Sequence, residues 1–304
     1  MTRVFASVAV VVPTKNRAGD LDVTIAGVFD QTVLPKQLIV IDQSANDDSQ
    51  RLVVARLEAL DIEVRHSLEL SYIRDVNIPG LTAARNRALQ LVREEIVLFL
   101  DDDVVLERDF IEQILAGYRQ WPGATGISGI ITNYPAPPAV FRYWSRIFTC
   151  GPFWDDRQPV YWDASALCSA APIRVTRLGG GLMSFRMAAI AGASFDENLR
   201  GAAPGEDVEF CAGLGPDTLL LIAPKARLAH KKSAAGRAPE HWLSLHAFTM
   251  FYIYRRHWNH GPVNKLCFLW LNIGYTLAAT LVSARRLSRA PWQGLAKSRS
   301  GLPR

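Results

Sequence analysis

The chain has 304 residues, of which 49% are hydrophobic and 21% charged, so it can bury a large core and is too apolar to be intrinsically disordered. Its formal net charge is +5, and every charged residue after Glu240 is basic. The four cysteines have spacings that fit no zinc or redox motif, and no nucleic-acid-binding motif accompanies the basic tail. These features argue against a zinc protein and a nucleic-acid-binding protein, and they favour a cytoplasmic setting.

Short apolar runs alternate with helical patterns through the first half of the chain. The predicted strands are 6–12, 38–41, 72–76, 96–100 and 126–131, and the predicted helices are 20–29, 49–60, 82–92 and 110–118. The first apolar run stops at Pro13 without a cleavage site, so it predicts a core strand and not a signal peptide. Strands that alternate with helices indicate βα units, and hence an α/β fold with a mostly parallel sheet.

Two of the predicted strands end in acidic residues. Asp42 follows the second strand, and Asp101, Asp102 and Asp103 follow the apolar run 96–100. Ligands bind at the carboxyl ends of the strands in open α/β sheets, and ordinary turn or capping chemistry accounts more readily for one or two acids than for three. Carboxylates suit Mg²⁺ or Mn²⁺, which often carry substrate phosphates. We therefore predict a metal–diphosphate site.

The regular alternation breaks in the middle of the chain. Residues 134–175 are rich in proline and aromatic residues, including Tyr161 and Trp162, and predict an irregular insertion. This insertion is either a surface excursion packed by its own aromatic rings or a wall that binds sugar rings or lipid. The glycine triplet 179–181 indicates either a close backbone approach to a ligand or a strand bulge.

A pair of acidic residues begins a later predicted helix. Glu206 and Asp207 lie in its first turn, where the helix dipole stabilises negative charge. The dipole alone does not explain why they follow a loop of small residues, 201–205. We expect this loop to open onto a cleft.

The C-terminal region, 236–304, is predicted to be helical and basic. Its apolar run 266–282 precedes Arg285 and Arg286 and is at the lower limit of length for a membrane span. An interfacial helix with a basic collar, a helix packed on the rest of the protein and a true span all remain open. Trp258 and Trp270 suit an interfacial position, so we expect peripheral contact with a membrane.

Six short motifs occur in a fixed order along residues 8–230. They are V-A-V-V-V-P-T-K-N-R, L-I-V-I-D-Q-S, G-L-T-A-A-R-N-R-A-L, I-V-L-F-L-D-D-D, F-D-E-N-L and G-E-D-V-E-F. Each motif alone is weak, but the ordered set resembles the inverting glycosyltransferases of family 2. The resemblance implies one Rossmann-like nucleotide-binding domain of the glycosyltransferase A type over residues 1–235. It also implies a nucleotide-sugar donor and Mn²⁺ or Mg²⁺ as cofactor.

The resemblance also implies roles for individual residues. Asp207 would be the catalytic base, and Lys231 or Lys232 could add positive charge near the leaving group. The implied nucleotide-binding residues are Pro13, Thr14, Asn16, Asp42, Arg85, Asp101 and Asp102. The implied metal ligands are Asp103, Asp101 and His230.

The implied reaction is an inverting transfer from a UDP- or dTDP-sugar to a hydroxyl of a glycan or lipid-linked acceptor. It would serve cell-envelope polysaccharide synthesis on the inner face of the cytoplasmic membrane. The chain lacks a Q-x-x-R-W motif, which predicts one sugar per encounter, and its segment 180–184 lacks the asparagine of the related G-x-N-M-S pattern.

Three other classes of protein are alternatives to this interpretation. A nucleotidyltransferase acting on a sugar phosphate would have a glycine-rich basic loop after the first strand, and a dinucleotide oxidoreductase would have G-x-G-x-x-G there. Neither motif is present. A non-catalytic sugar-nucleotide-binding protein would be expected to lack the metal acids or the base.

Overall fold

The computed structural model describes residues 3–158, 160, 171–201, 203–231, 239–286 and 289–300. The strands are β1 (Val4–Thr14), β2 (Val33–Asp42), β3 (Glu69–Arg74), β4 (Ile96–Phe99), β5 (Val104–Leu106), β6 (Gly126–Ile131), β7 (Ile173–Val175), β8 (Met183–Arg186) and β9 (Leu220–His230). The helices are α1 (Ala18–Phe29), α2 (Asp48–Glu58), α3 (Ile62–Ser67), α4 (Leu81–Leu89), α5 (Phe110–Gln120), α6 (Ala139–Phe148), α7 (Glu206–Gly213), α8 (Pro239–Arg256), α9 (Pro262–Arg286) and α10 (Ala290–Ser300).

The strands of the described chain form one nine-stranded sheet. Their order is β3-β2-β1-β4-β8-β6-β9-β5, and β7 pairs with β9. Strands β1, β2, β3, β4, β6 and β9 run in one direction, and β5, β7 and β8 run in the other. The predicted α/β fold with a mostly parallel sheet is therefore confirmed.

The parallel register brings the ends of the first strands to one edge. Thr14 of β1 lies beside Asp42 of β2, and Val11 lies beside Phe99 of β4. The Leu100 N–H then donates to the Val11 carbonyl over 2.9 Å. Residues 101–103 follow immediately, so they leave the sheet next to the loop that follows β1.

Hydrophobic packing on both faces explains why the central strands are almost wholly apolar. Val8, Val10 and Val12 pack with α1 and α5 on one face, whereas Ala9 and Val11 pack with α4 and α7 on the other. All five side chains are buried. Parallel strands covered on both faces have this continuous apolar pattern.

Residues 134–175 differ from the predicted irregular insertion because they contain helix α6. Three of the prolines, Pro135, Pro137 and Pro138, lie just before this helix, and Pro138 is its N-cap residue. Proline is tolerated at a helix start because the first N–H groups have no partner within the helix. The predictions for Tyr161 and Trp162 concern residues outside the described part of the chain.

Helix α1 also begins differently from the expectation. The prediction placed its start at Asp20, but Arg17 occupies the N-cap position and Asp20 lies in the first turn. An acid there still benefits from the positive end of the helix dipole.

The C-terminal helices pack on the rest of the chain through one face. Leu271, Tyr275 and Ala279 of α9 are completely buried in a cluster with residues of α7 and α8. By length and composition, Pro262–Arg285 is the one helix in the described chain that could cross a membrane, and 22% of its most apolar part is buried. The predicted run 266–282 lies within it. Trp270 lies on its exposed side, whereas Trp258 packs edge-on against Phe153.

Phe210 anchors helix α7 to the sheet. Its ring stacks on Phe195 at 4.2 Å and meets Phe185 edge-on at 5.2 Å. We expect Phe210→Ala to lower the free energy of unfolding by about 3–5 kcal/mol, because it leaves a cavity in a packed aromatic cluster.

Urea unfolding followed by circular dichroism measures this loss. Leu52→Ala on the exposed side of α2 is the control and should change the free energy by less than about 0.5 kcal/mol. Equal, small effects of the two substitutions would show that the aromatic cluster does not hold α7.

Candidate active site

The acidic triplet after β4 meets His230 from the end of β9. Antiparallel pairing of Val104 with His230 places the imidazole beside the triplet. Its Nε2 atom lies 3.3 Å from Asp101 Oδ2 and 3.3 Å from Asp103 Oδ1. One donor atom from each of these three residues lies within 4.8 Å of the others. Two carboxylates and one imidazole form a donor set that fits Mn²⁺.

Asp102 faces a different set of partners from its two neighbours. It accepts hydrogen bonds from Thr14 Oγ1 at 2.7 Å and from Arg17 Nη1 at 3.0 Å. Burial raises the pKa of Asp102, and the contacts with Thr14 and Arg17 oppose that increase. Arg17 also lies 3.4 Å from Asp103 Oδ2. These contacts join the loop after β1 to the triplet.

Arg85 is buried beneath the carboxylates. It donates to Glu206 Oε1 at 2.6 Å and to the Gly180 carbonyl at 2.8 Å. Its guanidinium lies 5.6 Å from the Phe99 ring centre and 5.4 Å from that of Phe195. Its predicted contact with a nucleotide or diphosphate stays a prediction, because in this structure the side chain is completely buried and serves groups of the protein itself.

The glycine triplet allows the backbone to approach two of the carboxylates. A Cβ atom at Gly181 would lie 2.4 Å from Asp101 Oδ2, and one at Gly180 would lie 2.4 Å from Glu206 Oε1. The segment Gly180–Leu182 is a 3₁₀ helix that precedes β8, and not a strand bulge. The structure therefore shows the first of the two predicted alternatives, a close approach of the backbone. The groups that it approaches are the protein's own carboxylates, Asp101 and Glu206.

Asp207 is held from two sides in the first turn of α7. Its Oδ2 atom accepts hydrogen bonds from the Gly180 N–H at 3.1 Å and from Arg157 Nη1 at 3.3 Å. Arg157 also donates to the Leu178 carbonyl at 2.6 Å and pairs with Asp155. Sequence reasoning missed Arg157, because it lies in the insertion 134–175 and no local motif marks it.

Helix α8 packs on the loop of small residues that precedes α7. Gly205 has a left-handed backbone, with φ of 88°, and a Cβ atom there would lie 2.2 Å from Thr249 Cγ2. Thr249 Oγ1 donates to the Pro204 carbonyl at 3.1 Å. Ala203 is completely buried, and Ala202 lies outside the described residues. The expectation that this loop opens onto a cleft is not met, since its small side chains allow α8 to pack closely.

A separate cleft of about 720 Å³ lies along another side of α7. There Glu209 lies 2.6 Å from His257 Nε2 and 3.3 Å from Arg256 Nε, and Arg256 Nη1 is also 3.2 Å from Asp196. The residues that line this cleft include none of the acidic triplet, His230 or Asp207. It is therefore distinct from the candidate active site.

The other predicted nucleotide-binding residues lie at the ends of β1 and β2. Asp42 is completely buried, and it accepts hydrogen bonds from the Ser44 N–H at 2.8 Å and from Tyr72 OH at 2.7 Å. Asn16 is left-handed, with φ of 56°, and its N–H donates to Ser44 Oγ at 2.7 Å. Pro13 lies beside Ile41 in the sheet. Contact of Asp42 with a base stays a prediction.

Of the two lysines predicted to add positive charge, one lies in the described chain. Lys231 Nζ lies 3.5 Å from Asp20 Oδ1 of α1, so it offsets an acid outside the triplet. Lys232 lies outside the described residues.

The mostly parallel sheet, with acidic residues at the carboxyl ends of its strands, agrees with the expected fold of the glycosyltransferase A type. The chain belongs to glycosyl transferase family 2, because the model of that family, "Glycosyl transferase family 2", matches residues 9–161, about half of the chain. This membership argues against the nucleotidyltransferase alternative. No curated protein sequence matches the chain significantly.

Solved structures of two glycosyltransferases share the fold. Residues 1–349 of TarS from S. aureus align with a TM-score of 0.60 at 15% identity, over 97% of this chain and 81% of that one. TarS in complex with UDP-GlcNAc gives a TM-score of 0.59 at 16% identity, over 96% and 79%. The mannosyltransferase PcManGT from Pyrobaculum calidifontis, in complex with GDP-Man and Mn²⁺, gives 0.56 at 15%, over 97% and 84%.

Glu206 makes stability depend on pH. Burial and the nearby charge of Asp207 raise its pKa to about 7, against the opposing effect of Arg85. Between its ordinary pKa of 4.5 and about 7, the folded chain keeps a proton that the unfolded chain has released. Stability should therefore fall as the pH rises through this window.

Thermal unfolding of Glu206→Gln measured from pH 4.5 to 8 tests this dependence. Glutamine keeps an oxygen for Arg85 but has no proton to release, so its Tm should rise relative to wild type as the pH increases towards 7 and should gain no more above it. Glu58→Gln on exposed α2 is the matched control and should follow wild type. Parallel curves for all three proteins would contradict the prediction.

Proposed function

We propose that this protein catalyses metal-dependent, inverting and non-processive transfer of a sugar from a nucleotide-sugar donor to an acceptor hydroxyl. The proposal depends mainly on one observation. A short backbone segment connects Asp207, a carboxylate suited to be the base, with the possible metal ligands Asp101, Asp103 and His230. Gly181 lies against Asp101, one of these possible metal ligands, and the adjacent Gly180 N–H donates to Asp207. The segment of Gly180 and Gly181 would thus connect the residues that stabilise the leaving group with the residue that acts as base.

The acidic triplet and the ends of β1 and β2 would hold the donor. Asp101, Asp103 and His230 would hold Mn²⁺ or Mg²⁺, which when bound offsets negative charge on a nucleoside diphosphate. Asp102 and Asp42 would face the ribose and base of a UDP- or dTDP-sugar. Support comes from the family membership and from the UDP-GlcNAc and GDP-Man complexes of the two structural neighbours.

Asp207 would act as the general base. Each carboxylate oxygen can accept more than one hydrogen bond, so Asp207 can receive the acceptor's proton while Arg157 and Gly180 keep its orientation. The hydroxyl oxygen would attack the anomeric carbon from the side opposite the nucleoside diphosphate, whose bond to that carbon would break, and the hydroxyl proton would pass to Asp207. This single displacement would give inversion without a covalent intermediate.

We place the acceptor in cell-envelope glycan synthesis at the inner face of the cytoplasmic membrane. The basic C-terminal region 236–304 and the exposed apolar side of α9 support a lipid-linked acceptor or a glycan made at that surface. The catalytic domain would then be residues 1–235.

Substitution of Asp103, a proposed metal ligand, and of Asp207, the proposed base, should produce different defects. We expect Asp103→Ala to abolish Mn²⁺-dependent binding of the donor in calorimetry. Asp207→Asn should bind the donor as wild type does but transfer its sugar about 10²- to 10⁴-fold more slowly, because it lacks the base.

Nucleotide release from UDP-, dTDP- and GDP-sugars, with Mn²⁺ or Mg²⁺, measures the reaction. Asp217→Asn on the exposed loop after α7 is the matched control and should behave as wild type. If no donor binds to wild type and both active-site variants match it, the glycosyl-transfer proposal is wrong.

Arg157 should affect turnover more than donor binding, since its described contacts include Asp207 and none of Asp101, Asp103 and His230. We expect Arg157→Ala to lower kcat about 10- to 100-fold, with little change in the KM for the donor, because a misplaced base is costly. Arg157→Lys should recover part of the loss. Steady-state kinetics checks this, and an increase in donor KM at constant kcat would instead place Arg157 in donor binding.

A further inference from the structure

Helices α6 and α9 carry a concentration of exposed apolar side chains. The described chain exposes nineteen large apolar residues, of which three lie on α6 and seven on α9, each 42–76% exposed. Their spacing puts each set on one side of its helix. These residues define the α6/α9 face: Val140, Tyr143, Ile147, Val263, Leu266, Leu269, Trp270, Ile273, Leu277 and Leu281.

The two helices form one closely packed unit. Trp144 Nε1 of α6 donates to the Gly274 carbonyl of α9 at 2.9 Å, and Trp270 Nε1 donates to the Ile147 carbonyl at 2.7 Å. A Cβ atom at Gly274 would lie 2.5 Å from Phe148 Cγ, so glycine is needed for this approach. The exposed residues of α6 and α9 therefore belong to a single surface.

The charged side chains of α6 and α9 are all basic. Neither helix contains an acidic residue. Arg142 and Arg146 form a row beside Tyr143 and Ile147 of α6, while Lys265 and Arg285 lie near the two ends of α9. A second copy of the same face would be repelled, whereas an anionic bilayer offers both apolar chains and negative head groups.

We propose that the α6/α9 face docks flat on an anionic lipid bilayer, with α6 as an essential half of the contact. Interfacial helices bind by burying an apolar side while cationic side chains meet the head groups. A spanning arrangement of α9 would separate it from α6 and from the buried cluster around Leu271 and Tyr275. This proposal names the surface for the membrane association proposed above.

Helix α6 also connects this face to the candidate active site. Before the helix, Asn133 exchanges hydrogen bonds of 2.9 and 3.0 Å with the His230 backbone. After it, Arg157 contacts Asp207. Resting on the proposed function, we infer that bilayer contact at α6 steadies both ends of the site and presents acceptors from the membrane surface to Asp207.

Sedimentation with vesicles tests the docking. The full chain is mixed with vesicles of phosphatidylglycerol and phosphatidylcholine, or of phosphatidylcholine alone. We expect wild type to bind the anionic vesicles, and Ile147→Glu on α6 and Leu269→Glu on α9 each to lower the partition coefficient about tenfold or more. Ile62→Glu replaces an apolar residue of similar exposure on α3 and should leave partition unchanged.

Several outcomes would overturn the proposal. Equal partition of Ile147→Glu and wild type would show that α6 does not contact the bilayer. Failure of wild type to bind anionic vesicles would show that a bilayer is not the partner of this face. A dimer in sedimentation equilibrium that Ile147→Glu dissociates, without vesicle binding, would identify a second copy as the occupant. Circular dichroism confirms that each variant is folded.

Donor binding separates this failure from failure of the proposed function. Calorimetry with UDP-sugar and Mn²⁺ is run on the same proteins. Donor binding without vesicle binding would reject the docking surface and leave the glycosyl-transfer proposal standing. Vesicle binding that depends on both helices, without any donor binding, would support the surface and reject the proposed link to the site.

Discussion

The mutual repulsion of converging carboxylates is the constraint on which the site depends. Five acids meet within a small region, and each has a cationic or hydrogen-bonding partner supplied from a different element. Arg17 follows β1, Arg85 comes from α4 and Arg157 follows α6. Because each partner is distant in sequence from its acid, the site depends on tertiary contacts between elements that lie far apart in the chain. The five acids are Asp101, Asp102, Asp103, Glu206 and Asp207.

The parts of the site that are local in sequence could be predicted, because strand ends and helix starts have short patterns. The apolar run 96–100 placed the acidic triplet at a strand end, and the parallel register brought Asp42 to the same edge. Roles for Arg17 and Arg157 could not be predicted, because their partners are set by tertiary packing. Position in the motif P-T-K-N-R was the one signal available for Arg17, whereas Arg157 had none.

The segment after β6 shows why composition misled the prediction there. Proline and aromatic residues are typical of irregular chain, but here three of the prolines directly precede α6 and four of the aromatic residues lie within it. Trp144 and Phe148 face α9 while Tyr143 and Ile147 face outward, so the helix is apolar on two sides. The polar residues of α6 still lie together on a third side, so the helical period is present in the sequence and the proline-rich composition was what misled the prediction.

The close packing of Gly205 against Thr249 limits which C-terminal helices this protein could exchange with its relatives. The glycine begins the helix that carries Asp207, and the threonine lies on the first C-terminal helix. A relative with a larger residue at the position of Gly205 would not accept this C-terminal helix without a shift, since even a Cβ atom there would lie 2.2 Å from Thr249 Cγ2. Exchange of C-terminal helices between family members, in evolution or in a designed chimera, should therefore succeed only when α7 and α8 are inherited together. The orientation of Asp207 and the packing of the C-terminal helices would then vary together.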